Sequence, residues 1–266
     1  MTTGGKLNSK YSTIIMSARI ILQLFAIIIL FILHWYSSLF FQTVFLHRYA
    51  SHQMFTMSKT WERIFFFCTF LTQGSSFLNP RAYAILHRLH HKYSDTKNDP
   101  HSPIFSKNII KLNLNTIKHY ESVRLNKKDY SKYDTDVPRW PSLEKISDHW
   151  ITRLSFVVFY SLIYLKFSTA NWQYALLPIH FIMGPLHGSI VNWCGHRYGY
   201  TNDKKTKDNS KNTLPVDFLM MGELFQNNHH SNPSKMKFSR RWFELDPGYI
   251  AAKILSKINI LRIKNA

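Results

Sequence analysis

A chain of 266 residues that is 45% hydrophobic yet carries a formal charge of +19 joins two properties seldom found together in a soluble enzyme. Lysine is absent from the apolar runs Ile20–Leu33 and Ile64–Leu71 and crowds Lys107–Lys145 and Lys204–Lys237, as in a membrane protein with a basic face toward anionic headgroups. No zinc-finger, RRM or KH signature accompanies the charge, so no nucleic-acid partner is expected, and the two cysteines, Cys68 and Cys194, offer no disulfide framework.

The first apolar segment, Ile14–Leu46, is interrupted only by His34 and Ser37-Ser38. A bilayer core of about 30 Å takes roughly 20 helical residues. The segment is therefore either a tight hairpin or one long helix that runs past the membrane surface. Lys6 and Lys10 ahead of it imitate a signal peptide, but no small-residue cleavage site follows, which predicts a retained anchor. The second segment, Trp61–Leu78, is broken at Gln73-Gly74-Ser75-Ser76 and reads as interfacial or re-entrant, not as a full span. The third and fourth, Trp150–Leu165 and Trp172–Trp193, predict a helical hairpin with tryptophans and Tyr164 as interfacial anchors.

The fold class predicted is all-α: a multi-pass membrane helical bundle with a cytosolic helical cap, in one domain over 1–266. Residues 14–46 and 150–193 are expected in the membrane, 61–78 at its surface, and 79–149 and 194–266 in the cytosol. The polar loop Asn202–Asn212 is expected to be flexible.

Fourteen histidines are present, and their placement carries the argument. His47 and His52 form H-x4-H, His87, His90 and His91 form H-x-x-H-H, Asn192 and His196 form N-x3-H, and Gln226, His229 and His230 form Q-x-x-H-H. Each cluster sits where apolar sequence gives way to polar. Residues three and four apart share a helical face, so members of the last three clusters can converge. His47 and His52 fall about 140° apart on an ideal helix, which suits two different metals or a bent helix end. Eight imidazoles exceed the needs of one ion and point to a two-metal site, although imidazole alone accepts iron, copper, zinc or nickel. Neither E-x-x-H nor H-E-x-x-H occurs, which excludes a carboxylate-bridged di-iron bundle and speaks against a metalloprotease.

Asp95 and Asp99 are expected to support the ligands without binding metal. His180 and His187, seven apart near Gly184 and Gly188, are expected on one helical face in packing or hydrogen-bonding roles. His34 and His149 read as interfacial, and His101 and His119 are not expected to ligate.

Through HRYASH (47–52), HRLHHKYSDTKNDPHSP (87–103), NWCGH (192–196) and GELFQNNHH (222–230), the stretch from about Phe45 to Phe238 resembles the membrane fatty-acid desaturases. The resemblance is strongest to the acyl-CoA Δ9 branch, whose most specific mark is the Asp-Pro-His tail. It implies two iron ions (Fe2+/Fe3+) held by His47, His52, His87, His90, His91, His196, His229 and His230, with Asn192 binding through water. It implies no catalytic residue beyond these ligands. Gln226 stands where that branch has histidine, as either a weaker neutral ligand or a residue that orients His229 or His230.

The activity implied is O2-dependent insertion of a cis double bond, Δ9-type, into a saturated fatty acyl chain. A hydroxylase or ketolase on the same scaffold, or a non-catalytic metal- or lipid-binding membrane protein, is the alternative. Ile85 and Leu86 replace an Arg-Asp pair that helps hold CoA in that branch, which opens acyl-lipid or carrier-protein substrates beside acyl-CoA. No fused cytochrome b5 signature (HPGG) is present, so a separate electron donor of ferredoxin, rubredoxin or cytochrome b5 type is expected.

Overall fold

A computed structural model describes residues 25–264; the anchor reading and the start of the first apolar segment lie outside them. Helix α1 runs unbroken over Phe25–Ser51, so the described part of the first segment is one long helix. Its early residues Phe25, Ile29, Ile32 and Leu33 are exposed, as lipid contact requires. Its last ten residues, Gln42–Ser51, are wound as π-helix and all buried except Tyr49. Helix α2 (Lys59–Gln73) starts at Ser58, whose hydroxyl accepts the Trp61 N–H. It stops at Gly74, whose φ of 51° and contact with the Tyr160 hydroxyl exclude a side chain.

Helix α3 (Pro80–Tyr93) begins with Pro80 behind Asn79, whose side chain accepts from the Arg81 and Ala82 amides. Helices α4 (Ile109–Arg124) and α5 (Pro141–Asp148) follow. Helix α6 (Trp150–Phe167) is apolar almost all round, with only Tyr160 and Tyr164 buried, the character of a lipid-facing span. The fourth apolar segment is not continuous. A 3-10 turn (Asn171–Leu176) leads into α7 (Leu177–Phe181), and α8 (Met183–Gly195) departs at a bend of 82°. By length and composition α1 and α6 can each cross a membrane, and the bent pair makes a third crossing if counted as one.

That bend corrects one expectation. His180 and His187 lie on different helices, because the helix breaks at Ile182. His180 does hydrogen-bond: its Nδ1 is 2.6 Å from His34 Nδ1 and its Nε2 is 2.9 Å from the Tyr164 hydroxyl. His34 is buried within the protein, with Nε2 2.6 Å from the Thr72 carbonyl. The chain Tyr164–His180–His34–Thr72 thus ties α6, α7, α1 and α2 together.

Helices α9 (Gln226–Ser231) and α10 (Pro247–Lys257) complete the described helices. After α10, strand β2 (Leu261–Ile263) pairs antiparallel with β1 (Phe55–Met57), Phe55 opposite Ile263. A phenylalanine-rich core (Phe45, Phe55, Phe65, Phe66, Phe77 and Phe225) lies where α1 meets α2 and α9. Each fully buried Phe contributes about 1.5–3 kcal/mol, so the histidine-bearing end of α1 is firmly seated.

Candidate metal centre

Helices α1, α3, α8 and α9 bring all eight candidate histidines into two adjoining groups. His47, His52, His87, His91 and His229 offer ring nitrogens within 4.8 Å of one another, and His90, His196 and His230 do the same. In the first group, His229 Nε2 lies 3.1 Å from His47 Nε2 and 3.0 Å from His91 Nε2, while His52 and His87 Nε2 are 2.8 Å apart. In the second, the three rings form a near-equilateral triangle with centroids 4.9–5.0 Å apart. The groups meet where the His91 and His230 rings stand 4.4 Å apart.

The end of α1 explains why His47 and His52 share a group. A π-helix closes i→i+5 hydrogen bonds, so residues five apart stack instead of diverging as on an α-helix. Of the two alternatives, the distorted helix end is the one seen, and it brings both rings into one histidine group. On α3, His87 and His91 are four apart and join one group, while His90 turns to the other.

Carboxylates orient the rings from behind. Asp99 Oδ2 is 2.9 Å from His90 Nδ1, Asp95 Oδ2 is 2.9 Å from His196 Nδ1, and Asp208 Oδ2 is 2.5 Å from His230 Nδ1. Glu223 Oε2 lies 2.5 Å from His47 Nδ1. At His90, His196 and His230 the carboxylate accepts from Nδ1–H, which fixes the tautomer and leaves the Nε2 lone pair for a metal. Among the described residues, Nε2 of His90, His196 and His230 is buried with no partner at all. Three converging orphan nitrogens at such a cost (about 1–3 kcal/mol each) fit a bound cation.

Electrostatics agree. Burial, reinforced by neighbouring rings, pushes His52, His87, His91 and His229 well below the usual histidine range, so these imidazoles stay neutral. Burial lowers His90 too, but the Asp99 charge and hydrogen bond outweigh it and hold His90 above its usual value. Burial would raise Asp99 and Asp208, yet His90 and His230 respectively hold both carboxyls well below the carboxylate range. Four neutral rings in one group, and carboxylates that stay anionic behind His90 and His230 in the other, make a donor set that suits a multivalent cation.

Sequence reading identified Asp95 and Asp99 but missed Asp208 and Glu223. Asp208 lies in the loop expected to be flexible, which is instead pinned down. Asn227 Oδ1 accepts the Asn202 and Asp203 amides at 2.9 and 2.8 Å, and the Asp95 carboxylate accepts the Asn209 amide at 2.8 Å. The loop carries two acidic residues among its lysines, Asp203 and Asp208, and nothing in the sequence singles out the second. His101, set aside as a ligand, is buried with its ring 4.4 Å from the His90 ring and its Nε2 unpartnered among the described residues. Burial pushes it down to about 3.

Asn192 and Gln226 sit beside the groups. Gln226 donates its amide N–H to the Glu223 carbonyl at 2.6 Å and packs on Gly195, where any Cβ would strike its side chain. Both residues line a cavity that also touches His47 and His87 and is walled by Leu39, Leu78, Leu86, Leu112 and Val191. The centre therefore opens onto an apolar channel.

The chain is similar to known proteins. The chain is 27% identical over 223 residues to sn-1 stearoyl-lipid 9-desaturase of Synechocystis, covering 83% of this chain and 65% of that protein. It is 29% identical over 212 residues to Delta-9 desaturase-like 5 protein of Arabidopsis thaliana (75% and 64%). It is 27% identical over 239 residues to hex-5-enoyl-[acyl-carrier protein] acetylenase of Moorena producens (85% and 73%). The chain thus spans about two thirds of the length of the first two, 65% and 64%. Residues 21–255 match the fatty acid desaturase family model, and the chain belongs to that family.

Proposed function

We propose that this chain is an O2-dependent desaturase that places a cis double bond in a saturated fatty acyl chain carried by a membrane lipid. The observation that carries the reading is the pair of histidine groups opening on an apolar channel through His47, His87, Asn192 and Gln226. Two irons would be held there, one by the five-histidine group. The other would be held by His90, His196 and His230 with the Gln226 amide oxygen and, through water, Asn192. Iron supplies the redox chemistry. A CH2–CH2 unit loses two hydrogens, and O2 takes these with two protons and two electrons to leave as two waters. The electrons come from a separate donor of ferredoxin, rubredoxin or cytochrome b5 type.

The residues supply the rest. Carboxylates hold the rings in register, Leu39, Leu78, Leu86 and Leu112 keep the channel dry, and the lysine-rich stretches favour the cytosolic face for the metal end. Ile85 and Leu86 are buried, 0% and 6% exposed. They offer no charge for a CoA nucleotide, which, with the acyl-lipid desaturases among the relatives, favours a lipid carrier over CoA. The test is expression in a host lacking Δ9 desaturation, followed by chain-resolved analysis of its membrane lipids. A new monoene that disappears in His90→Ala is expected. Hydroxylated chains would mean that oxygen rebounds to carbon on this scaffold, and unchanged lipids with iron loaded would reject the desaturase.

A further inference from the structure

Helix α4 is exposed along an apolar strip, Ile110, Leu114 and Ile117 (68%, 52% and 52% exposed), continued by Ile104 and Phe105 in the preceding turn. Lys107, Lys111 and Lys118 alternate with it, also exposed. Apolar and basic residues interleaved on one helix describe an element lying in the headgroup region of a bilayer. Ile117 is also part of the cavity wall, with Asn113 and Thr116 of α4 and Ser189 of α8. Between the two helices the Ser189 hydroxyl meets the Asn113 amide oxygen. The strip therefore leads to a seam where α4 packs on α8, bridged by that side-chain hydrogen bond, with the metal channel behind it.

The wall changes character along its length. Near the seam it is polar, with Asn113, Thr116 and Ser189, and with His187, fully buried and with neither ring nitrogen hydrogen-bonded among the described residues. Thr116 bonds the Leu112 carbonyl of its own helix, and Asn113 and Ser189 are paired with each other while the seam is closed. Opening the seam breaks that pair beside the unpartnered His187, and the ester oxygens of a glycerolipid, unlike a plain methylene chain, can accept there. From Ser189 to His196 along α8 is seven residues, about 10 Å at the helical rise. Eight extended carbon–carbon bonds of about 1.5 Å advance the chain by roughly the same distance. An ester held at the seam thus brings the ninth carbon to the metal groups.

We infer that the α4–α8 seam is a lateral portal through which a glycerolipid acyl chain enters from the bilayer, its ester oxygens held at Asn113 and Ser189 and the bond position counted from there. The inference rests on the desaturase reading and deepens it by naming carrier and route. The test uses Asn113→Cys with Ser189→Cys in phosphatidylcholine vesicles containing a lipid with a photoreactive diazirine at the ninth carbon of its sn-1 chain.

In wild type, adducts are expected on channel residues such as Leu86 and Val191, and the reduced double-cysteine protein, which lacks the two anchoring groups, should still label the channel but over a wider spread of residues. Oxidation to the disulfide should cut them at least about tenfold, and reductant should restore them. Ile117→Trp, on an exposed position that leaves folding intact, should lower labelling in the same direction. Equal labelling in locked and reduced protein, or no channel adduct in the reduced protein and in wild type, overturns the portal. The readout needs no turnover, so turnover measured in parallel judges the desaturase reading separately: labelling without any alkene would reject that reading and keep the portal.

Discussion

Changing His229 to alanine is expected to strip one of two metals from the chain and to lower turnover by on the order of a thousandfold or more. His229 stands at the middle of its group, 3.1 Å from His47 Nε2 and 3.0 Å from His91 Nε2, and is fully buried. Loss of a residue that merely orients a ligand typically costs 10–100-fold in metal affinity or activity, and loss of a ligand itself costs more. His230→Ala should instead unload the three-histidine group, since its Nε2 converges on His90 and His196. His119→Ala is the control: it is exposed on α4 and, among the described residues, bonds only the Asn115 carbonyl. Metal analysis by mass spectrometry beside turnover reads the result. Two tightly bound metals and a wild-type rate in His229→Ala would refute the grouping.

A comparable loss is expected from Arg48→Ala, this time in stability. Arg48 has no exposed surface, and its guanidinium reaches Glu223 Oε1 at 2.7 Å and Asp246 Oδ1 at 3.0 Å while stacking 4.0 Å over the Phe238 ring. Removing one partner of a buried ion pair costs about 3–5 kcal/mol, because the remaining charge stays buried and uncompensated. Here two carboxylates are left. Glu223 also contacts His47, and Asp246 caps α10 through the Tyr249 amide at 2.8 Å. The lesion should therefore lower both the midpoint of thermal unfolding in detergent and metal retention by the five-histidine group. Arg48→Lys should fall between, since an ammonium cannot span both carboxylates with a planar fork. An Arg48→Ala protein that melts with wild type and keeps its metal would show the network to be dispensable.

The histidine spacing made the convergence of the eight candidate histidines legible, because i, i+3 and i+4 positions define a helical face wherever the helix lies. The partition between the two groups was not legible for His47 and His52, since nothing in HRYASH announces that α1 closes as a π-helix. The break at Ile182 was hidden for a related reason: the segment is apolar on both sides of the bend, so hydropathy is blind to it. Orienting carboxylates were found where they followed a box closely, as Asp95 and Asp99 do, and missed where tertiary contact supplies them. Asp208 reaches His230 across 22 residues, and Glu223 reaches His47 across 176. The buried Tyr164–His180–His34 chain was invisible as a unit, since its members come from three helices.

The central claim is that two histidine groups hold two irons beside an acyl channel. Purified protein reconstituted anaerobically with ferrous iron and then assayed with a reduced ferredoxin, O2 and a saturated phosphatidylcholine tests it most directly. Two irons per chain are expected, together with one alkene formed per O2 consumed and loss of both in His90→Ala. A single metal per chain, or two irons retained with O2 consumed and no alkene or other oxidised acyl product formed, would contradict it.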